Sequence, residues 1–213
     1  ILVDETFRLQ IMNSYKSICR VCNSKDLEPI ISLGKVPLAN NLIDDINSDY
    51  ETYPLELFKC MSCNNCQLSY SVDPKLMFDH YLYTSSTSKT FIKHFENAAI
   101  NYIKKYNLSN TDLIIDIGSN DGIGLKKFNE LGFEVLGIEP AKNIAEMANK
   151  NEINTLNGYF NLETIKIIKK KYNAPKIILA SNVFAHNDSL KEIANLAMTL
   201  LDENGVFIIE VQY

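Results

Sequence analysis

The chain has 213 residues, 46% of them hydrophobic and 22% charged, with a formal net charge of −5. That length suits one full α/β domain plus a smaller module. The acidic balance argues against a nucleic-acid partner, which needs a basic face for phosphates, and no apolar run has the length of a membrane span or the layout of a signal peptide.

Residues 1–13 form an N-terminal extension in which Phe7, Leu9 and Ile11 alternate in the manner of a short strand. The chain starts at Ile1 without a Met and stops at Tyr213, so a segment of a longer protein is expected. Residues 14–75 read as a small module. Gly34, Pro37, Pro54 and the Asn-Asn pair at 40–41 are turn formers, and the apolar stretches between them are too short for long helices.

All five cysteines fall in that module: Cys19, Cys22, Cys60, Cys63 and Cys66. A secreted disulfide scaffold would be smaller and denser in cysteine, so the pattern points to metal in a reducing, cytoplasmic compartment. Cys19-Arg-Val-Cys22 and Cys60-Met-Ser-Cys63 are two CxxC pairs with 37 residues between them. Each presents two thiolates from one tight turn, and four thiolates with no open position suit a closed structural Zn²⁺ site. Neither pair opens a helix after a strand, as a redox CxxC would. Cys63-Asn-Asn-Cys66 is also a CxxC, and Cys66 is read as a spare buried thiol that competes for a ligand position. A closed site performs no reaction, so the metal speaks for a folded module only.

Residues 76–108 carry a helical pattern, with Phe91, Phe95, Ala98, Ala99, Tyr102 and Ile103 recurring on one face. This helix is expected to link the two modules. From 109 to 213 strand-like and helix-like stretches alternate. Apolar strands are expected at Leu113–Ile117, Val135–Ile138, Ile153–Leu156, Ile177–Ala180 and Val206–Val211, with helices between them. Continuous apolar strands covered on both faces indicate a doubly wound, mostly parallel sheet.

The first of these strands runs into Asp116-Ile-Gly118-Ser-Asn120-Asp-Gly122 and then a helix. Gly118 and Gly122 allow a sharp turn and close approach of a ligand. A dinucleotide site would carry G-x-G-x-x-G to seat a pyrophosphate on the helix N-terminus. Here Asn120 replaces a glycine, and Asp116 and Asp121 would repel phosphate. They suit a cation such as the sulfonium of S-adenosylmethionine. Glu139, 17 residues after Gly122, ends the second strand where a carboxylate accepts both hydroxyls of an unphosphorylated ribose. Asn182 ends the fourth strand. Tyr159 and Phe160 follow the third, either as core packing or as a wall for the adenine ring.

The order Cys19-xx-Cys22, Leu33-Gly-Lys-Val-Pro37-Leu-Ala-Asn40, Cys60-xx-Cys63 with Gln67-Leu, Asp116-Ile-Gly-Ser-Asn-Asp-Gly122, Gly137-Ile-Glu-Pro140-Ala and Asn182-Val-Phe-Ala-His186 resembles the zinc-containing nucleotide-sugar C-methyltransferases. The resemblance spans residues 17–213. It implies a class I methyltransferase domain of Rossmann-like fold over 109–213, behind a zinc module. It implies that Asp116, Gly118, Asn120, Gly122, Glu139, Pro140 and Asn182 line the S-adenosylmethionine site. Within His80-Tyr-Leu-Tyr83-Thr-Ser-Ser86, it implies that Tyr81 and Tyr83 flank the sugar; packing between domains is the alternative for both.

The implied reaction places a methyl group on carbon 3 of a dTDP-linked 4-keto-deoxysugar through an enolate. His186, just past the fourth strand, has a side chain of reference pKa about 6.5 that suits donation to the enolate or a proton relay. Two departures stand out. Asn64 replaces a glycine after the second CxxC, and the family's third domain, with its Glu-His motif, lies beyond the fifth strand, so the 109–213 domain reads as truncated and the principal base is expected there. The rivals are a zinc-containing methyltransferase acting on RNA or another small molecule, marked by a basic zinc module that this chain lacks, and a non-catalytic scaffold that binds S-adenosylmethionine. Oligomeric state is not legible.

Overall fold

The computed structural model describes residues 15–40, 42–43, 45, 47–79 and 81–211. The extension 1–13 with its strand-like alternation, Asn41 and His80 lie outside the described residues. The chain divides into two compact units, Ile1–Phe78 and Asp79–Tyr213.

The first unit is a three-stranded antiparallel sheet. Strand β1 (Leu27–Val36) pairs with β2 (Tyr53–Cys60), which pairs with β3 (Cys66–Leu68). β1 is an edge strand and tolerates Pro29, and its register slips between Pro29 and Ile31 and again between Ser32 and Lys35. Residues 28–35 are exposed along their whole length. Among the described residues of this unit, the buried hydrophobic side chains are those of Cys19 and Cys60. So small an apolar interior cannot offset the entropy of ordering three strands, and the sulfur atoms must hold the unit together. Helix α1 (Pro74–Phe78) follows the sheet.

The second unit opens with helix α2 (Lys89–Lys105), capped by Ser88, whose hydroxyl accepts from the Phe91 amide. This is the helix expected to link the modules. Instead it packs onto the second unit's sheet, with Ala99 buried and Tyr102 and Ile103 against the same core. Five strands follow: β4 (Leu113–Ile117), β5 (Glu134–Glu139), β6 (Thr155–Asn157), β7 (Ile177–Ser181) and β8 (Val206–Glu210). They alternate with helices α3 (Ile123–Glu130), α4 (Lys142–Lys150), α5 (Leu162–Lys171) and α6 (Leu190–Leu200).

Every strand pairing in this sheet is parallel, in the order β6-β5-β4-β7-β8. The expected boundaries hold to within a residue or so except at β6, which starts at Thr155; Ile153 lies before it and is buried in the core against Gly122. The pleat sends Ile114, Ile177 and Leu179 to one face, where α2, α3 and α4 cover them. Leu113, Ile115, Ile117, Ile178 and Ala180 point to the other, under α5 and α6. This is the doubly wound Rossmann-like architecture. The chain moves outward from β4 to β6, then crosses back to β7 on the other side of β4. That reversal opens a crevice at the carboxyl ends of β4 and β7, the place where open α/β sheets bind ligands.

Candidate functional site

In the first unit, Cys19, Cys22, Cys60 and Cys63 bring their sulfur atoms within 4.8 Å of one another. Cys19 lies 3.6 Å from Cys63, and Cys22 lies 3.5 Å from Cys60. The two CxxC segments fold alike. The amide of Asn23 donates to the Cys19 carbonyl and that of Asn64 to the Cys60 carbonyl, at 2.9 and 2.8 Å. Both asparagines sit in the left-handed region, at φ 63° and 62°. Asn tolerates that conformation far better than most side chains, so Asn64 can fill a left-handed position that would otherwise favour glycine.

Backbone amides are aimed into the sulfur cage. Burial pushes the Cys19 thiol up, yet the amides of Cys22 and Val21 outweigh it and hold Cys19 at about 6. Burial is likewise outweighed at Cys60 by the amides of Cys63 and Ser62. At Cys63 the Asn65 amide favours the thiolate, but hydrogen bonds with Cys22 and the other thiols, together with burial, push it up to about 12. Cys19 and Cys60 thus ionise more easily than a free thiol and Cys63 less easily, and a dication among the crowded sulfurs would favour the thiolate form of its ligands. A four-sulfur cage without an open position fits Zn²⁺ as a structural ion.

Cys66 is a correction to the reading of a spare buried thiol. It is exposed on β3, outside the cage, with its sulfur toward the Asn64 carbonyl. Gln67 escaped the sequence reading as a contributor to this site. Its buried amide accepts from the Arg20 amide at 2.9 Å and donates to the Ile18 carbonyl at 2.9 Å, fixing the first sulfur loop to β3.

In the second unit, β4 delivers Asp116 and then the loop 118–122. Gly118 has φ 64°, and a Cβ there would lie 2.5 Å from Val183. Gly122 has φ 84° and caps α3. The loop closes onto β5 through the amides of Gly118 and Ser119, which donate to the Ile138 carbonyl. Two further glycines make the geometry possible. A Cβ at Gly137 would strike the Ser119 hydroxyl, and one at Gly124 would lie 2.6 Å from an Asp116 carboxylate oxygen. A glycine inside a helix or strand costs about 1 kcal/mol relative to alanine, and that local penalty was the available signal for both.

Glu139 ends β5 with its carboxylate buried and fixed. One oxygen accepts from the Asn120 amide and the other from the Ala141 amide, both at 2.9 Å. Burial raises its pKa despite those two amides. Asp116 is raised to about 7 by burial and by the Glu139 charge. Among the described residues neither carboxylate is ion-paired with a Lys or Arg. Two adjacent buried carboxylates without a counter-ion make a site that favours a cationic guest.

The structure therefore brings Asp116, Gly118, Asn120, Gly122 and Glu139 together. Pro140 follows, and its carbonyl accepts from the Asn157 side chain. Tyr81 is half-buried beside them; burial raises its phenol pKa, as do the Glu139 and Tyr83 charges. Tyr83 is exposed and meets Tyr81 edge-on, with ring centroids 6.5 Å apart. Asn182 follows β7 at φ 56°, and its amide donates to the Glu210 carbonyl at 2.8 Å. His186 closes a helical turn over Phe184–His186 and is exposed. Tyr159 donates to the Asp79 carboxylate at 2.8 Å. Phe160 is partly buried against the α5/α6 core. At the carboxyl end of β8 the structure adds a pair that the sequence could not offer: His94 Nε2 lies 2.9 Å from Glu210, a partner 116 residues away.

Residues 19–78 match the family model described as "Putative zinc binding domain". Over 197 residues, 92% of its length, the chain is 32% identical to the C-methyltransferase NovU of Streptomyces niveus. These matches liken residues 19–78 to a zinc-binding domain and most of the chain to a C-methyltransferase. It spans 47% of that relative's length. Among solved structures, it is similar to an S-adenosylmethionine-dependent methyltransferase from Clostridium acetobutylicum, at 16% identity and TM-score 0.46, over 56% of this chain and 50% of that one. It is also similar to the plantazolicin methyltransferase BpumL in complex with a triazolic desmethylPZN analog and SAH, at 18% identity and TM-score 0.47, over 58% and 48% of the two chains.

Proposed function

We propose that this C-methyltransferase relative binds S-adenosylmethionine at the carboxyl edge of β4 and β5 and methylates a carbon of a nucleotide-linked keto-deoxysugar in the cytoplasm. The observation that carries the reading is Glu139: a buried, unpaired carboxylate held by two backbone amides beside a glycine loop. A phosphate-bearing nucleotide would add negative charge beside two buried carboxyls, whereas a sulfonium with an unmodified ribose supplies the positive charge that lets them ionise.

Glu139 accepts the ribose hydroxyls, Asp116 faces the cationic end, and Gly118, Asn120, Gly122 and Asn182 shape the loop edges around the ligand. Pro140 and Tyr159 border the adenine, with Phe160 behind them in the core. When bound, S-adenosylmethionine supplies an electrophilic methyl group. On the sugar, a general base takes the proton next to the ketone, the electron pair passes into an enolate, and the enolate carbon takes the methyl as the S–CH3 bond breaks and S-adenosylhomocysteine leaves. The protein's part is to position the reactants and to stabilise charge on the enolate oxygen. His186, at the same edge, donates to that oxygen, and Tyr81 and Tyr83 flank the sugar.

The test is calorimetry with S-adenosylmethionine. Glu139→Ala is expected to weaken binding by about a hundredfold, the scale of two charge-assisted hydrogen bonds. Equal affinity in the variant overturns the cofactor assignment. Transfer of labelled methyl to one of a panel of keto-sugar nucleotides then tests the substrate, and labelling of none of them removes the sugar while leaving the cofactor in place.

A further inference from the structure

Residues 81–86 cross the carboxyl edge of the second unit as a strap with almost no backbone pairing of its own. Its polar groups are instead met by side chains of the cleft. The Asn120 side chain accepts from the Ser85 amide at 2.9 Å and donates to the Tyr83 carbonyl at 3.1 Å. The Asn143 side chain, in the first turn of α4, donates to the Tyr81 carbonyl at 2.7 Å and accepts from the Tyr81 amide at 3.4 Å. Asp121 accepts from the Ser86 amide at 3.0 Å. Two asparagine amides thus imitate a neighbouring strand, each giving one donor and one acceptor to the strap backbone.

Asn120 does this while its own backbone amide donates to Glu139. The carboxylate assigned to the ribose and the strap that carries the tyrosines therefore meet in one residue. Asn143 is the second anchor, and the proposed function gives it no role.

We propose that Asn143, together with Asn120, is a positioning residue that clamps the strap over the Glu139 carboxylate, so that filling the cofactor cleft and placing Tyr81 and Tyr83 become a single coupled event. This rests on the cofactor reading above. Loosening the clamp leaves the strap to be ordered by the ligand, and part of the binding energy is then lost to that ordering.

The test uses this chain and S-adenosylhomocysteine, with amide hydrogen exchange and calorimetry on the same samples. In the wild type the amides of Tyr81, Ser85 and Ser86 exchange slowly and more slowly still with ligand. Asn143→Ala is expected to weaken binding about tenfold and to abolish the ligand-induced slowing at Tyr81, while β4 and β5 stay protected. Combining it with Asn120→Ala is expected to weaken binding by less than the product of the two single effects, because both hold the same strap. Asn143→Asp, which keeps the volume and the acceptor but loses the donor to the Tyr81 carbonyl, is expected to move both readouts in the same direction by less; it serves if the alanine variant fails to fold. Wild-type affinity with unchanged slowing in the variants, or fully multiplicative losses, overturns the clamp. No binding by the wild type removes the cofactor reading and the clamp with it, a result separable from failure of the clamp alone.

Discussion

β1 and β4 show how differently two parts of one chain are stabilised. Residues 28–35 of β1 are exposed, and the buried apolar atoms described in its unit belong to two cysteines. All five residues of β4 are buried between helices, where each isoleucine contributes about 1.5–3 kcal/mol by leaving water. The first unit is specified by a few directional bonds at sulfur and by one buried amide, the second by area. Directional networks fail abruptly when one member is removed, while area is lost in increments.

The largest expected effect breaks that comparison outright. Stripping the metal with a chelator, or Cys19→Ser, is expected to remove exchange protection from β1, β2 and β3 while β4 and β7 stay protected. Metal analysis of the intact protein is expected to find about one Zn per chain. Equal loss in both units would show that the sheet of the second depends on the cage.

Next comes Asp116, a buried carboxyl whose charge costs the apolar unit stability, as does that of its neighbour Glu139. The folded pKa of Asp116, about 7, lies above the ordinary carboxyl value of about 3.9, so the folded state holds a proton that the unfolded chain releases. The stability of the second unit is therefore expected to fall as pH rises from about 4 to about 7, by up to a few kcal/mol. Asp116→Asn is expected to flatten that dependence and raise the melting temperature above pH 7. The same substitution is expected to weaken S-adenosylmethionine. In the wild type, affinity is expected to fall as pH drops below 7, because the carboxyl must lose its proton to face the cation. A melting temperature that follows pH equally in both proteins would assign the titration elsewhere.

The smallest effect sharpens the account of the first unit. Gln67→Ala leaves the Ile18 carbonyl and the Arg20 amide without their buried partner and is expected to cost about 1–3 kcal/mol in the metal-loaded protein. Denaturant unfolding followed at β3 checks it, and no change would leave the thiolates as the sole support.

Much of this was legible because it is local. The CxxC pairs, the Asp116–Gly122 turn and the carboxylate at the end of β5 each declare themselves within a few residues, since tight turns and strand ends need particular side chains at fixed offsets. Phe160 was not legible: an aromatic after a strand serves a core or a ligand equally well, and only the α5/α6 packing favours the core. Cys66 stands outside the cage, as a spare thiol should, but it was expected to be buried and β3 instead carries it to the surface.

By itself the sequence determined which chemistries are present: four thiolates in two turns, two carboxylates at strand ends, and alternating apolar segments of the right length for a parallel sheet. Those follow from periodicity and residue type, which the chain displays before it folds. Tertiary structure alone decided which groups meet. Asn143 finds Tyr81 across 62 residues, Gln67 finds Arg20 across 47, and His94 finds Glu210 across 116. Pairings over such distances are fixed by the order of strands in a sheet and by what the packed faces leave in reach, and no spacing along the chain encodes them.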